Sequence, residues 1–129
     1  MSRRAGDTRE KRQGARGFGI HAEWAALAWL LLRGWRVLAR NYLATGGEID
    51  LIAAKRGVIA FVEVKARPDI DQARVAITPE KRRRISKAAA HWLTRNRWAV
   101  GYVLRGDAIF IAPRKLPAHV ENVFELDLF

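Results

Sequence analysis

Two acids and a lysine interrupt two otherwise apolar stretches near the middle of the chain. Asp50 lies in the first stretch, and Glu63 and Lys65 lie in the second. With Arg56-Gly57 as a two-residue turn, the stretches form a β-hairpin that brings Asp50 directly opposite Glu63. Opposed residues of an antiparallel pair have Cβ atoms roughly 5 Å apart, so the two carboxylates repel and raise each other's pKa.

This carboxylate pair gives no stability by itself, but it suits a divalent cation such as Mg²⁺ or Mn²⁺, which prefers oxygen ligands. Lys65 shares a strand face with Glu63 because side chains two residues apart point the same way. It therefore adds a positive donor at the same place. The competing interpretation is structural: Lys65 forms an ion pair with Glu63 or Asp50 on an edge strand.

Longer strings surround the trio. GGEIDLIA contains Asp50, FVEVKAR contains Glu63 and Lys65, a helix with a glutamate precedes them, and a T-x-x-K-R-R-R-I helix follows. From about Gly17 to Phe124 these strings resemble the YraN-type family of small bacterial proteins, and the trio resembles the D-x(n)-E-x-K signature of restriction-endonuclease-like nucleases. The resemblance implies an α/β sandwich, with a mixed β-sheet flanked by helices, and a nuclease that uses Mg²⁺ or Mn²⁺.

The leading hypothesis assigns the site residues as follows. Asp50 and Glu63 hold the metal ion, with the carbonyl oxygen of Val64 as a further ligand. Lys65 orients the attacking water or neutralises developing charge. Glu23, on the upstream helix, is either another acidic ligand or a residue that complements the helix N-terminal dipole.

Hydrophobic periodicity predicts the elements that position these residues: helix, strand, strand, strand, helix, strand and a short C-terminal element. The two helices should bury stripes made of Ile20, Trp24, Leu27 and Leu31 in the first, and Ile85, Ala88, Ala89, Trp92 and Leu93 in the second. The predicted ranges are 18–33, 35–42, 47–55, 58–66, a helix capped by Thr78 and opened by Pro79, and β-like segments 98–104 and 107–112.

The last two β-like segments meet at Arg105-Gly106-Asp107, where Gly106 stands in place of an aromatic residue of the family pattern. A strand that continues through this point with a bulge is favoured over a hairpin. His119, further on, matches the family pattern near the C-terminus, where packing or capping is the expected role.

The charge balance indicates a polyanionic partner. The chain has 24 Lys and Arg against 13 Asp and Glu, a formal net charge of +11. Nucleic acid is the expected partner, DNA rather than RNA, although a merely solvated basic surface has the same composition. The residues expected to bind nucleic acid are Lys81, Arg82, Arg83, Arg84 and Lys87 on the second helix, with Arg40 and Arg67.

Among the second-helix residues, Lys81 is expected to come nearest the trio because it lies one turn before the core residue Ile85. No aromatic stacking platform is evident from the sequence, so recognition of the phosphate backbone and of shape is expected. The alternative function is a non-catalytic nucleic-acid-binding protein, or a basic accessory subunit, with a vestigial acid cluster.

The domain plan is a disordered basic arm at residues 1–17 and one nuclease-like domain at 18–129. The chain contains no cysteine, which fits a reducing compartment. The apolar run 24–32 is too short to span a bilayer, so a cytoplasmic protein without a membrane partner is expected. The oligomeric state stays open, a homodimer included.

Overall fold

The computed structural model of the chain describes residues 21–66 and 77–128. The predicted arm 1–17 and Arg67, assigned above to nucleic-acid binding, lie outside the described residues. Within them, helix α1 covers residues 21–32, and three strands follow: β1 at Arg36–Ala44, β2 at Gly47–Lys55 and β3 at Val58–Ala66. Helix α2 covers Pro79–Arg95, a 3₁₀ helix covers Arg97–Gly101, and β4 and β5 cover Val103–Ile111 and Ala118–Phe124.

The five strands form one mixed sheet in the order β1-β2-β3-β4-β5. Neighbours are antiparallel except β3 and β4, which run parallel and are joined through α2. The predicted mixed α/β architecture, with a helical crossover to a parallel strand, is confirmed. β3 is the middle strand, so the interpretation of Glu63 and Lys65 as an edge-strand ion pair was wrong about the edge.

The hairpin formed by β2 and β3 has the predicted bounds, and Lys55 pairs with Val58. Its two turn residues, Arg56 and Gly57, both have positive φ, at 48° and 80°. This is the backbone of a type I′ turn, whose twist matches that of the two strands. The turn therefore fixes the register that brings Asp50 towards Glu63.

The sheet is covered by one helix on each face because the strand residues alternate between two cores. On one face, α2 packs against Ile52, Ala54, Ile59 and Phe61. On the other face, α1 packs against Leu51, Ala53, Ala60 and Val62. This is an α/β sandwich of the restriction-endonuclease-like type. Among the residues described, none of the helices is long and apolar enough to cross a membrane.

The buried stripe of α1 differs from the predicted one. Ala22, Ala26 and Leu30 are buried, whereas Trp24 and Leu31 are 50% and 53% exposed. Of the other two predicted residues, Leu27 is partly buried against this core and Ile20 lies outside the described residues. Both stripes have helical spacing, but the alanines allow the helix backbone to lie closer to the sheet. The predicted stripe of α2 is confirmed, since all five of its residues are buried.

The predicted strand 98–104 was also wrong in its first half. Asn96 ends α2, and the N–H of Ala99 then donates to the Asn96 carbonyl, which starts the 3₁₀ helix. Trp98 packs edge-on against Trp92 and Tyr102, with ring centroids 6.0 and 5.6 Å apart. These local contacts take the place of strand pairing until Val103.

β4 continues through Arg105-Gly106-Asp107, as the sequence analysis predicted. Its pairing with β5 is irregular between Gly106 and Ala108. A Cβ atom on Gly106 would lie 2.5 Å from the ring of Phe124. Gly106 therefore leaves the space that the ring of Phe124 from β5 occupies.

Gly47, the first residue of β2, allows that strand to touch α2. A Cβ atom at this position would lie 2.0 Å from the carbonyl oxygen of Arg84 and 3.1 Å from the backbone nitrogen of Ala88. Both neighbours are backbone atoms in the middle of a helix, so neither can move aside alone. Gly47 therefore sets the distance between α2 and the acid-bearing strand.

We expect Gly47→Ala to destabilise the fold by about 2–3 kcal/mol, because overpacking here displaces helix backbone. The melting temperature measured by calorimetry should fall by about 10 °C. The matched control is Gly101→Ala, where an added Cβ meets nothing within 4 Å. Equal melting temperatures for Gly47→Ala and Gly101→Ala would contradict the close helix contact.

Candidate active site

Asp50 lies where β2 and β3 part. The pairing of the two strands runs from Lys55 and Val58 to Leu51 and Val62, one residue short of Asp50. Its Oδ2 atom accepts a hydrogen bond from the N–H of Val64 at 2.8 Å. At this place, which we call the fork, the side chain of Asp50 supplies the acceptor to β3 in place of a strand. The carboxylate of Asp50 is thereby held beside Glu63.

Glu63 is neutralised from two directions. It is 6% exposed, and its Oε1 atom lies 3.2 Å from the Nζ of Lys65 and 2.9 Å from the Nζ of Lys81. Lys65 is buried on the same strand, whereas the side chain of Lys81 comes from the first turn of α2 and is 36% exposed. The sequence identified Lys65 alone as the neutralising partner and expected Lys81 to come nearest the trio; the ion pair of Lys81 with Glu63 goes beyond that expectation.

Lys81 reaches the carboxylates because α2 begins beside them. The Oγ1 atom of Thr78 accepts the N–H of Lys81 at 3.2 Å, which caps the helix as predicted, and Pro79 opens it. The cap fixes the first turn and aims Lys81 at the sheet. Lys81, assigned from the sequence to nucleic-acid binding, therefore lies at the acid pair itself.

Asp50 is held in an environment that opposes its charge. Burial, and then the nearby carboxylate of Glu63, raise the pKa of Asp50 to about 8, although the Val64 hydrogen bond acts the other way. Glu23 on α1 adds to the increase in the pKa of Asp50. Glu23 thus acts electrostatically on the acid pair, which connects all three acids named in the sequence analysis.

The donor set suits a hard cation that keeps part of its water shell. Within residues 21–66 and 77–128, no three side chains of His, Cys, Asp or Glu converge as a complete metal cluster. Asp50 and Glu63 offer two carboxylates, and the N–H of Val64 ties that residue to Asp50, which keeps its carbonyl oxygen a candidate third ligand. Mg²⁺ and Mn²⁺ accept one or two carboxylates with water, whereas structural Zn²⁺ usually requires four protein ligands.

The predicted nucleic-acid-binding residues divide into two groups. Arg84 lies on the side of the acid-bearing strand, with its Nη2 atom 4.0 Å from Glu48, and both side chains are about half exposed. Lys87 lies beside Gly46 in the turn between β1 and β2. These two cations lie beside the start of β2, which precedes Asp50 in the strand.

Arg82 and Arg83 face a different part of the surface. They line a cavity of about 380 Å³ together with Ser86, Glu125 and Asp127 from the chain end, where the N–H of Asp127 donates to the Oγ of Ser86. Two acids therefore border the same cavity as these arginines. The run of four consecutive cations is not one continuous surface.

Arg40 is exposed on β1, and its guanidinium lies 4.1 Å from the ring centroid of Trp24 on α1. A half-exposed tryptophan stacked with an arginine was not expected from the sequence, which placed Trp24 in the core. Trp24 directly follows Glu23 in the chain, so the indole of this pair lies on the same turn of α1 as the third acid.

An α/β sandwich with an acid pair and a following lysine at the fork of its central hairpin is the arrangement typical of restriction-endonuclease-like proteins. The chain belongs to the uncharacterised protein family UPF0102, whose model it matches over residues 22–111. It is 50% identical over 121 residues to a UPF0102 protein of Methylorubrum extorquens (strain PA1), covering 94% of each chain. It is 53% identical over 112 residues to one of Methylobacterium nodulans, covering 87% of this chain and 85% of that protein.

We expect Asp50→Asn to stabilise the protein above neutral pH. The Asn side chain can accept the Val64 N–H and donate to Glu63 without bringing a second negative charge. Because the folded pKa of Asp50 is raised to about 8, the folded state holds a proton that the unfolded chain releases near pH ~4. The stability of the wild type is therefore lost as pH rises from about 4 towards 8.

The measurement is the difference in melting temperature between Asp50→Asn and wild type from pH 5 to pH 9, in EDTA. The difference should grow with pH and become constant above about pH 8, because other groups are common to both proteins. A difference in melting temperature that does not change with pH would contradict a raised pKa of Asp50 in the folded state.

Proposed function

We propose that this protein is a metal-dependent phosphodiesterase that cleaves DNA, an endonuclease that is structure-selective or weakly sequence-specific. One observation carries the proposal: both lysines at the site contact Glu63, while the adjacent Asp50 keeps a pKa raised to about 8. An ion-pair network built for stability would neutralise both acids. Among the described residues Asp50 instead forms no ion pair, and a bound cation would favour its charged form.

In this proposal Asp50 and Glu63 hold Mg²⁺ or Mn²⁺, with the Val64 carbonyl as a candidate additional ligand. The ion supplies Lewis-acid stabilisation of the phosphate and lowers the pKa of a bound water. Lys65, which is 4% exposed, holds the Oε1 atom of Glu63 and fixes its orientation. In the proposal, its ammonium group donates to the scissile phosphate or to the attacking water.

Lys81 has a different task because its side chain is partly exposed and comes from another element. When a phosphate enters the site, Lys81 can exchange its contact with Glu63 for a phosphate oxygen without a change of backbone. This exchange would release Glu63 for the metal ion as the substrate binds. Lys65, buried on the central strand, stays in place.

The second candidate function is a nucleic-acid-binding protein in which the acids are structural. Its support is the double ion pair of Glu63 with Lys65 and Lys81, which satisfies one acid without metal. It gives no reason for placing Asp50 next to Glu63 and within the electrostatic range of Glu23. Cleavage and metal binding separate the two functions.

We expect cleavage of duplex, branched or single-stranded DNA in Mn²⁺ or Mg²⁺, and no cleavage in EDTA. Asp50→Asn should abolish calorimetric binding of Mn²⁺ at this site together with cleavage. Lys65→Met, which keeps the buried volume, should lower the single-turnover rate at least about a hundredfold, as expected for a lost transition-state donor.

DNA affinity should change less than about twofold in Lys65→Met, since the chain has 24 basic residues. The control Lys115→Met removes an exposed lysine from the loop after β4 and should cleave at the wild-type rate. If Lys65→Met cleaves as fast as wild type, the activity does not come from this site, and the binding-protein function is preferred.

The division of the basic residues gives a separate prediction for DNA binding. The double variant Arg84→Ala, Lys87→Ala removes the two cations beside the start of the acid-bearing strand β2, so the slope of log affinity against log salt should fall by about two. The charge-matched variant Arg82→Ala, Arg83→Ala should change it less, because these arginines share a cavity with Glu125 and Asp127. Fluorescence anisotropy at several salt concentrations measures both; equal slopes would mean that DNA does not distinguish the two surfaces.

A further inference from the structure

A second cavity lies on the α1 face of the sheet, away from the acid pair. It has a volume of about 330 Å³ and is lined by Trp29, Arg33, Trp35, Lys55, His119 and Glu121. We call it the Trp29–Trp35 pocket. Lys55 is five residues along β2 from Asp50, which is about 17 Å of strand. The pocket is therefore a site of its own and not an extension of the fork.

The side chains of the pocket are held by a charge network that the proposed cleavage does not use. Asp107 is fully buried in β4 and accepts two hydrogen bonds from Arg105, at 2.8 and 2.9 Å. Its Oδ2 atom lies 2.8 Å from the Nε2 of His119, and its Oδ1 atom accepts the N–H of Asn122 at 2.9 Å. Asp107 thus fixes Arg105 on its own strand and His119 on the neighbouring strand β5.

This network is costly to bury and specific in its orientation. Burial alone would raise the pKa of Asp107, but the hydrogen bonds of His119, Arg105 and Asn122 outweigh it and lower the pKa. Buried ion pairs contribute little net stability compared with apolar residues of the same volume. The definite result of this network is the placement of Arg105 and His119 against Trp35, the buried indole of the pocket.

Positive groups surround both indoles of the pocket. The guanidinium of Arg33 lies 4.3 Å from the ring centroid of Trp29. The guanidinium of Arg105 and the ammonium group of Lys55 lie 5.7 and 6.0 Å from the ring centroid of Trp35. Glu121 is the one acid among the six lining residues, and it is a rim residue, 61% exposed, whose nearest charge is Arg105 at 3.5 Å.

A polar cavity of this size, with several cations beside the half-buried indole of Trp29, matches the chemistry of one nucleotide. A base has a planar face that packs on indole, and its phosphate pairs with Arg and Lys. The volume lies at the small end of ligand pockets, which span roughly 300–1,000 Å³, so a duplex is excluded and a single unit is admitted. An apolar ligand would leave the cations unused, and a bare anion would leave the indole of Trp29 unused.

We propose that the Trp29–Trp35 pocket binds a nucleotide, with its base against the half-buried indole of Trp29 and its phosphate at Arg33 and Lys55, whose ammonium group also donates to the Arg33 carbonyl. The nucleotide is either a free nucleoside monophosphate or one unpaired nucleotide of a strand, and both present the same groups to the pocket. Binding there is independent of the acid pair and of metal.

The test is calorimetric or NMR titration of the full chain, in EDTA, with dAMP, deoxyadenosine, inorganic phosphate and the oligonucleotide (dA)8. Wild type should bind dAMP at least about tenfold more tightly than it binds deoxyadenosine or phosphate. Arg33→Gln, Lys55→Gln together should weaken dAMP at least about tenfold, or ~1.4 kcal/mol, and Trp29→Leu should weaken it about fivefold or more.

Two variants serve as controls, with melting temperatures checked for every protein. Arg95→Gln, Arg97→Gln removes two exposed charges at the end of α2 and just beyond it, and it should bind dAMP like wild type. Asp50→Asn should also bind dAMP unchanged, so that a failure of the nuclease proposal leaves this one standing.

The oligonucleotide distinguishes the two sources. If (dA)8 loses affinity in Trp29→Leu together with dAMP, the pocket takes a nucleotide of a strand; if only dAMP loses affinity, it takes a free nucleotide. Phosphate binding as tightly as dAMP would reduce the pocket to an anion site and overturn the proposal. Equal losses in the charge-matched control, or no binding of either dAMP or (dA)8 that depends on Trp29, would overturn it as well.

Discussion

The parting of β2 from β3 at Asp50 is the constraint on which the candidate site depends. From Leu51 and Val62 to Ala54 and Ile59, every paired position is filled by an apolar residue that packs in one core or the other. Where pairing stops, a side-chain carboxylate instead of a strand supplies the acceptor for Val64. At the fork, polar side chains thus replace regular strand pairing in the centre of the sheet. Helices α1 and α2 each bring one charged residue towards it, Glu23 and Lys81.

Close packing on both faces makes this convergence possible. Gly47 lets α2 touch the backbone of β2, which brings the first turn of α2 near β3. On the other face, Ala22 and Ala26 let α1 lie close to the sheet, and Glu23 follows Ala22 directly. Larger residues at these positions would hold the helices further away, and the lysine and the glutamate would no longer reach the acids on the strands. The small residues are therefore part of the site's geometry.

Features with a local cause could be predicted from the sequence. Arg56-Gly57 fixes the hairpin and its register, and Thr78-Pro79 fixes the start of α2. Features decided by distant parts of the chain could not be predicted in this way. In α1 both the alanines and the large apolar residues recur with helical spacing, so which of them is buried depends on how close the sheet lies. In the same way, nothing local to Asp107 indicates that His119 from β5 will meet it. The roles of the site residues remain predictions, because geometry alone does not measure catalysis.

The two interior aspartates give the strongest argument that the fork is a functional site. Asp107 receives hydrogen bonds from a guanidinium, an imidazole and a backbone N–H, and its pKa is lowered despite full burial. Asp50 receives one backbone N–H and has Glu63 and Glu23 as neighbours, and its pKa is raised to about 8. The same fold therefore surrounds the buried Asp107 with donors that favour its charge, and leaves the part-buried Asp50 opposed first by burial and then by like charge. Since Lys65 and Lys81 are near enough to pair with Glu63, cations are available around Asp50, yet its environment remains unfavourable to its charge. An arrangement that costs stability beside available cations is explained if a metal ion supplies the missing positive charge.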